Sequence, residues 1–130
     1  MKRTRRSVLV LVTCLVTVLT GVSAVQAAPA SRWPVGTLIC GGGLLRMSHS
    51  ISGTVDCGAR LEIGVCRTVA AGQYGYRDVT NQYPERVYVW TGINCPENET
   101  PRTAYHNGRL LPPNPNDPSF SFKSFVRLAT

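Results

Sequence analysis

The sequence predicts an all-β protein, a small disulfide-stapled sandwich or Greek key. Three observations predict it. No apolar period of 3.6 residues runs through the chain after residue 28. Short β-branched and aromatic runs alternate instead with Gly- and Pro-rich turns, in a chain with Gly 12 and Pro 9. Four of the five cysteines follow an export signal, and an even number in a small exported domain implies two disulfides.

Residues 1–27 have the pattern of a cleaved secretory signal peptide. Lys2, Arg3, Arg5 and Arg6 precede an uncharged run dense in Val and Leu, and Val25-Gln26-Ala27 forms a small-residue exit. A membrane anchor is the competing reading, because a span needs roughly 20 apolar residues. Gly21, Ser23 and Gln26 interrupt the run where a cleavage site belongs, and no later segment approaches a span. The expected product is secreted and extracellular, with a flexible leader at 28–37 and a single β domain at 38–130.

Removing the signal changes the charge. The full chain has 14 Lys+Arg against 7 Asp+Glu, a net +7. Four of the basic residues and none of the acidic ones lie before residue 28, so ten against seven remain, or +3. The Arg residues at 32, 46, 60, 67, 77, 86, 102, 109 and 127 are spread singly and make no basic patch, so nucleic acid is not an expected partner.

Cys14 leaves with the signal, so Cys40, Cys57, Cys66 and Cys95 are the candidate disulfide cysteines. Zinc is the alternative, but no CxxC occurs and His49 and His106 lie in no ligand-like spacing. Leu61, Ile63 and Val65 alternate with Glu62 and Gly64, which predicts a strand rising about 3.3 Å per residue. A straight strand would hold Cys57 and Cys66 beyond the roughly 7 Å reach of a bridge. The pairing 40–57 with 66–95 is then simplest, while a turn at Gly58 or Gly64 would reopen 57–66.

The remaining elements follow in order. Gly41-Gly42-Gly43 marks a bend or bulge, with a flexible loop as the alternative. Residues 48–56 make a weak strand or loop. Residues 86–90 are a β-branched and aromatic strand, with Val87 and Val89 on one face and Tyr88 and Trp90 on the other. Residues 91–118 contain six prolines and are expected to be irregular. In the last segment Phe120, Phe122, Val126 and Leu128 share one face, opposite Ser119, Ser121, Lys123 and Arg127. Ser124 breaks the apolar face and Phe125 the polar one. A hydroxyl on a buried face needs a partner, so Ser124 is expected to bond the backbone of a neighbouring turn. Trp90, Phe120, Phe122 and Ser124 are the predicted structural residues.

These segments carry a resemblance. Asn81, the run Arg86-Val87-Tyr88-Val89-Trp90-Thr91-Gly92-Ile93-Asn94-Cys95, Gly108-Arg109-Leu110-Leu111-Pro112-Pro113 and Phe120-Ser121-Phe122-Lys123-Ser124-Phe125 resemble one Greek-key repeat of bacterial secreted βγ-crystallin-like proteins. That group includes small proteinase inhibitors. The resemblance spans residues 78–128 and implies that Ser124 tethers a folded hairpin; residues 40–73 fit the repeat poorly. The family's calcium motif is approached by Asn116-Asp117-Pro118-Ser119-Phe120-Ser121, with Phe120 where a hydroxyl is needed. A turn is the simpler reading there, and neither metal nor cofactor is expected. A second, partial resemblance joins Cys66-Arg67-Thr68-Val69-Ala70-Ala71-Gly72-Gln73 to tendamistat-type α-amylase inhibitors. Their inhibitory Trp-Arg-Tyr triplet is replaced here by Leu45-Arg46-Met47.

Enzymatic readings are weaker. The chain has no Gly-x-Ser-x-Gly elbow, and the trio a small secreted ribonuclease would use, Glu85, Arg86 and His106, is a combination found in most chains of this size. The expected protein is a non-enzymatic monomer that binds an extracellular protein, foremost as an inhibitor of a protease or glycosidase. A small hydrolase and a cell-envelope structural protein are the alternatives. Tyr74, Tyr76 and Tyr83, between two cysteines, and Arg46 are the predicted partner-binding residues, because Tyr and Arg supply much of the energy at protein interfaces. Residues 91–118 are the other candidate surface. Asn98-Glu99-Thr100 within it matches a glycosylation sequon.

Overall fold

A computed structural model describes residues 31–49 and 55–130; the signal segment 1–27 lies outside the described residues. The described residues contain nine strands and no helix. They are β1 (Val35–Thr37), β2 (Cys40–His49), β3 (Val55–Ala59), β4 (Cys66–Thr68), β5 (Asp78–Asn81), β6 (Val87–Trp90), β7 (Arg102–Ala104), β8 (Arg109–Leu110) and β9 (Ser124–Arg127). Two sheets form, in the orders β1-β4-β9-β6-β7 and β3-β2-β5-β8. Among these nine strands, only the β1–β4 pair is parallel.

Burial alternates along the strands as a two-layer arrangement requires. On β2, Leu45 and Met47 are buried while Leu44 and Arg46 are exposed. They meet Cys57, Ala59 and Val79 of their own sheet and Val87, Val89, Ala104 and Phe125 of the other, making one shared core. Burying each of the Leu, Met, Val and Phe side chains among them contributes about 1.5–3 kcal/mol. The disulfides are Cys40–Cys57, tying β2 to β3, and Cys66–Cys95, tying β4 to the loop after β6. Two intramolecular disulfides fit an extracellular or otherwise oxidising environment.

The glycine run is a bulge. Cys40 and Leu45 both register against Ala59, Gly42 has φ +63°, and a Cβ at Gly43 would collide with the Ala59 carbonyl.

The structure corrects several expectations. Within the leader expected over 28–37, Val35–Thr37 form β1 and Trp33 packs edge-on against Trp90. Residues 61–65 are not a strand. Gly64 turns there at φ +74°, Ile63 makes a single bridge to Arg127, and Ile63 is 50 % exposed. The proline-rich stretch 91–118 contains β7 and β8, because its prolines lie outside the positions that pair. The weak segment 48–56 begins with the end of β2 and finishes in β3; residues 50–54 lie outside the described residues.

The last segment also changes face. Phe122 and Phe125 both point into the shared core, whereas Val126 and Leu128 lie on the opposite side of the sheet. Strand alternation is interrupted at Lys123, whose N–H donates to the Trp90 carbonyl (2.8 Å) and whose carbonyl accepts from Val69 N–H (2.9 Å).

Candidate functional site

The five-stranded sheet has a second apolar side. Along β9 and β6, Phe125 and Val89 face the shared core, so their neighbours Val126, Tyr88 and Trp90 face outward. There they join Cys66, Cys95, Trp33 and Leu128. Cross-strand register aligns Cys66, Val126 and Tyr88 in one row and Thr68, Ser124 and Trp90 in the next.

The second row anchors the loop that follows β6. Ser124 Oγ–H donates to the Gly92 carbonyl (2.7 Å), and the same oxygen accepts from Cys95 N–H (3.0 Å). Thr68 Oγ1 accepts from Asn94 N–H at 3.4 Å, and the Cys66–Cys95 bridge clamps the loop end. Ser124 therefore bonds the backbone of a neighbouring turn, as a buried hydroxyl must.

Glu99 holds the loop from its other side. One carboxylate oxygen accepts from Thr91 N–H (2.6 Å) and Thr91 Oγ1–H (2.7 Å), and the other from Gly92 N–H (2.9 Å). Its carbonyl accepts from Trp90 Nε1–H at 3.2 Å. Hydrogen bonds to a carboxylate are roughly twice as strong as neutral ones, so these fix the loop closely. A Cβ at Gly92 would press on the Glu99 carboxylate and the Pro96 ring, which explains the glycine.

Between this loop and the N-terminal segment lies an open groove of about 510 Å³. Trp33, Tyr88, Trp90 and Leu128 form its apolar surface, Pro96 and Pro101 its wall, and Arg32, Glu97 and Glu99 its charged margin. Trp33 and Trp90 meet at 5.7 Å between ring centroids, and the Arg32 guanidinium stacks 3.8 Å from the Trp33 centroid. A second groove of about 300 Å³ shares Tyr88 and Leu128 and extends the surface towards Arg86 and Thr130.

The predicted interface residues are dispersed. Tyr83 is 5 % exposed and belongs to the core; its hydroxyl accepts from Leu61 N–H at 2.7 Å. Tyr76 is half-buried, bridges Phe122 and packs its ring near Phe125, and burial raises the pKa of its phenol. Tyr74 remains 73 % exposed on the turn after β4. Arg46 is exposed on β2, where its Nε–H donates to Gln82 Oε1 at 3.3 Å. Among the predicted structural residues, Phe122 and Ser124 are fully buried, Trp90 is nearly so and Phe120 packs against the core. The sequence reading missed Trp33, Glu99 and Thr68. A tryptophan two residues before Val35, in a segment where β-branched Val35 and Thr37 alternate with Gly36, was the available signal for the first.

Each member of the hydrolase trio has another partner. Both Glu85 oxygens accept from Arg127, at 2.9 and 2.8 Å, which holds the carboxyl below its ordinary pKa. Arg86 lies over the Tyr105 ring, and His106 Nδ1 bonds the Tyr83 carbonyl at 2.9 Å. At the calcium-like stretch, Asp117 Oδ1 accepts from Ser119 N–H (2.9 Å) and Oγ–H (2.6 Å), while its carbonyl accepts from Arg77. These bonds describe a closed turn. Among the described residues no group of three or more His, Cys, Asp or Glu side chains is placed to hold a metal. No helix among them is long and apolar enough to cross a membrane.

No family model matches this chain, and no curated protein or solved structure shows a significant match to it.

Proposed function

We propose that the chain is exported, loses residues 1–27, and acts as a βγ-crystallin-like Greek-key protein that binds and inhibits an extracellular hydrolase. The observation that carries this reading is the pre-ordered outward face of the five-stranded sheet. An aromatic groove lies beside a loop tied down by a disulfide, Ser124, Thr68 and Glu99. A surface ordered before docking loses less conformational entropy on binding. Its Trp, Tyr and Arg side chains are the types that dominate interface energetics. The partner is a protein, and neither nucleic acid nor membrane has a role in the mature form.

The test is an inhibition panel of secreted proteases and glycosidases, assayed with purified mature protein. Saturable inhibition of at least one enzyme is expected, weakened by Trp33→Ala. Absence of inhibition and of binding across the panel would overturn the proposal.

A further inference from the structure

Within the loop after β6, Ile93 is presented but not used by the fold. Thr91 and Gly92 before it are held by Glu99, and Asn94 and Cys95 after it by Thr68, Ser124 and the disulfide. Among the described residues no hydrogen bond reaches the Ile93 N–H or carbonyl, and the residue is 51 % exposed. The scaffold thus immobilises both neighbours and leaves one branched aliphatic side chain, with its own donor and acceptor, turned to solvent.

We infer that Ile93 is the specificity-determining residue of the inhibitory surface, seated in the primary pocket of a serine endopeptidase that accepts branched aliphatic side chains. This rests on the inhibitor reading above and narrows it. A serine endopeptidase reads one side chain in its primary pocket while oxyanion-hole donors receive that residue's carbonyl. A glycosidase has no comparable use for an aliphatic knob. Asn94 and Cys95 have φ of +61° and +49°, so the chain turns immediately after Ile93 and departs from the extended path of a substrate. The clamped Cys95 also keeps the following segment from leaving. Inhibition is by occupancy, with no covalent step.

The experiment uses the mature chain with neutrophil elastase and pancreatic elastase as probes and trypsin as the control. Competitive inhibition of an elastase and none of trypsin is expected. Ile93→Asp should weaken elastase inhibition by about 100-fold or more with an unchanged melting temperature, and Ile93→Val should retain it. Ile93→Arg should lose elastase and gain trypsin inhibition. If Ile93→Asp inhibits elastase as well as the parent does, or if the parent inhibits other panel enzymes but no elastase, the assignment of Ile93 fails while the inhibitor reading stands. Inhibition of nothing in the panel would overturn both.

Discussion

The two sheets share a core but turn different chemistry outward. On the four-stranded sheet, β2, β5 and β8 carry Arg46, Thr80 and Arg109 in one cross-strand row, with Ser48 and Asp78 in the next. On the five-stranded sheet the corresponding rows carry Cys66, Val126, Tyr88 and Trp90. A polar outward face is satisfied by water. An aromatic one would expose apolar area, and the chain covers it with Trp33, Leu128 and the Cys95 end of the loop after β6, so that Cys66, Val126 and Trp90 are buried in a second, smaller core. Trp33, Tyr88 and Leu128 stay half-buried there and line the groove that the proposed function uses.

The disulfides provide the largest expected contrast. Replacing both Cys66 and Cys95 with Ala should cost roughly 2–4 kcal/mol in urea unfolding and abolish inhibition by the remaining folded molecules. Replacing Cys40 and Cys57 should cost a similar roughly 2–4 kcal/mol but leave inhibition per folded molecule intact, because that bridge serves the four-stranded sheet. Equal loss of inhibition in both pairs would erase the distinction.

Ser124→Ala should come next, at about 1–3 kcal/mol. It leaves the Gly92 carbonyl and Cys95 N–H without their partner under the loop. Amide exchange at Cys95 should accelerate more than exchange in β2.

Acid sensitivity separates two ion pairs. Arg127 and Glu85 side chains are 20 % and 17 % exposed and doubly bonded, whereas Arg109 in its pair with Asp78 is 61 % exposed. Because the folded-state pKa of Glu85 is depressed by Arg127, its stabilisation is complete above the unfolded value, about 4.3 for Glu. It is lost as pH falls through the folded value. Thermal melts should show stability falling with acid below that range, and Glu85→Gln should lower the melting temperature at pH 7 while reducing that acid dependence. Asp78→Asn should do much less to the melting temperature at pH 7, since exposed pairs contribute little.

How much of this was legible in the sequence differs between the two sides of the five-stranded sheet. Strand β6 and the need to satisfy Ser124 followed from periodicity and hydrogen-bond accounting. The sequential disulfides also followed, although the straight 61–65 strand used to favour them does not form. Period alone could not show the break at Lys123, because the interruption is set by its bonds to β6 and to Val69. Nor could it sort the tyrosines. Tyr83 and Tyr74 stand in similar polar contexts, and only the fold brings the Leu61 N–H to the Tyr83 hydroxyl. Glu99 looks like any loop carboxylate until the chain returns it to the Thr91 and Gly92 amides.

The most direct test compares substitutions on the two outward faces in one inhibition assay, against an enzyme the parent inhibits, with melting temperatures to check folding. Trp33→Ala and Tyr88→Ala should weaken inhibition by about tenfold or more, while Arg46→Ala and Thr80→Ala should leave it unchanged. The reverse pattern, with inhibition lost through Arg46 and Thr80 and indifferent to Trp33 and Tyr88, would contradict the account.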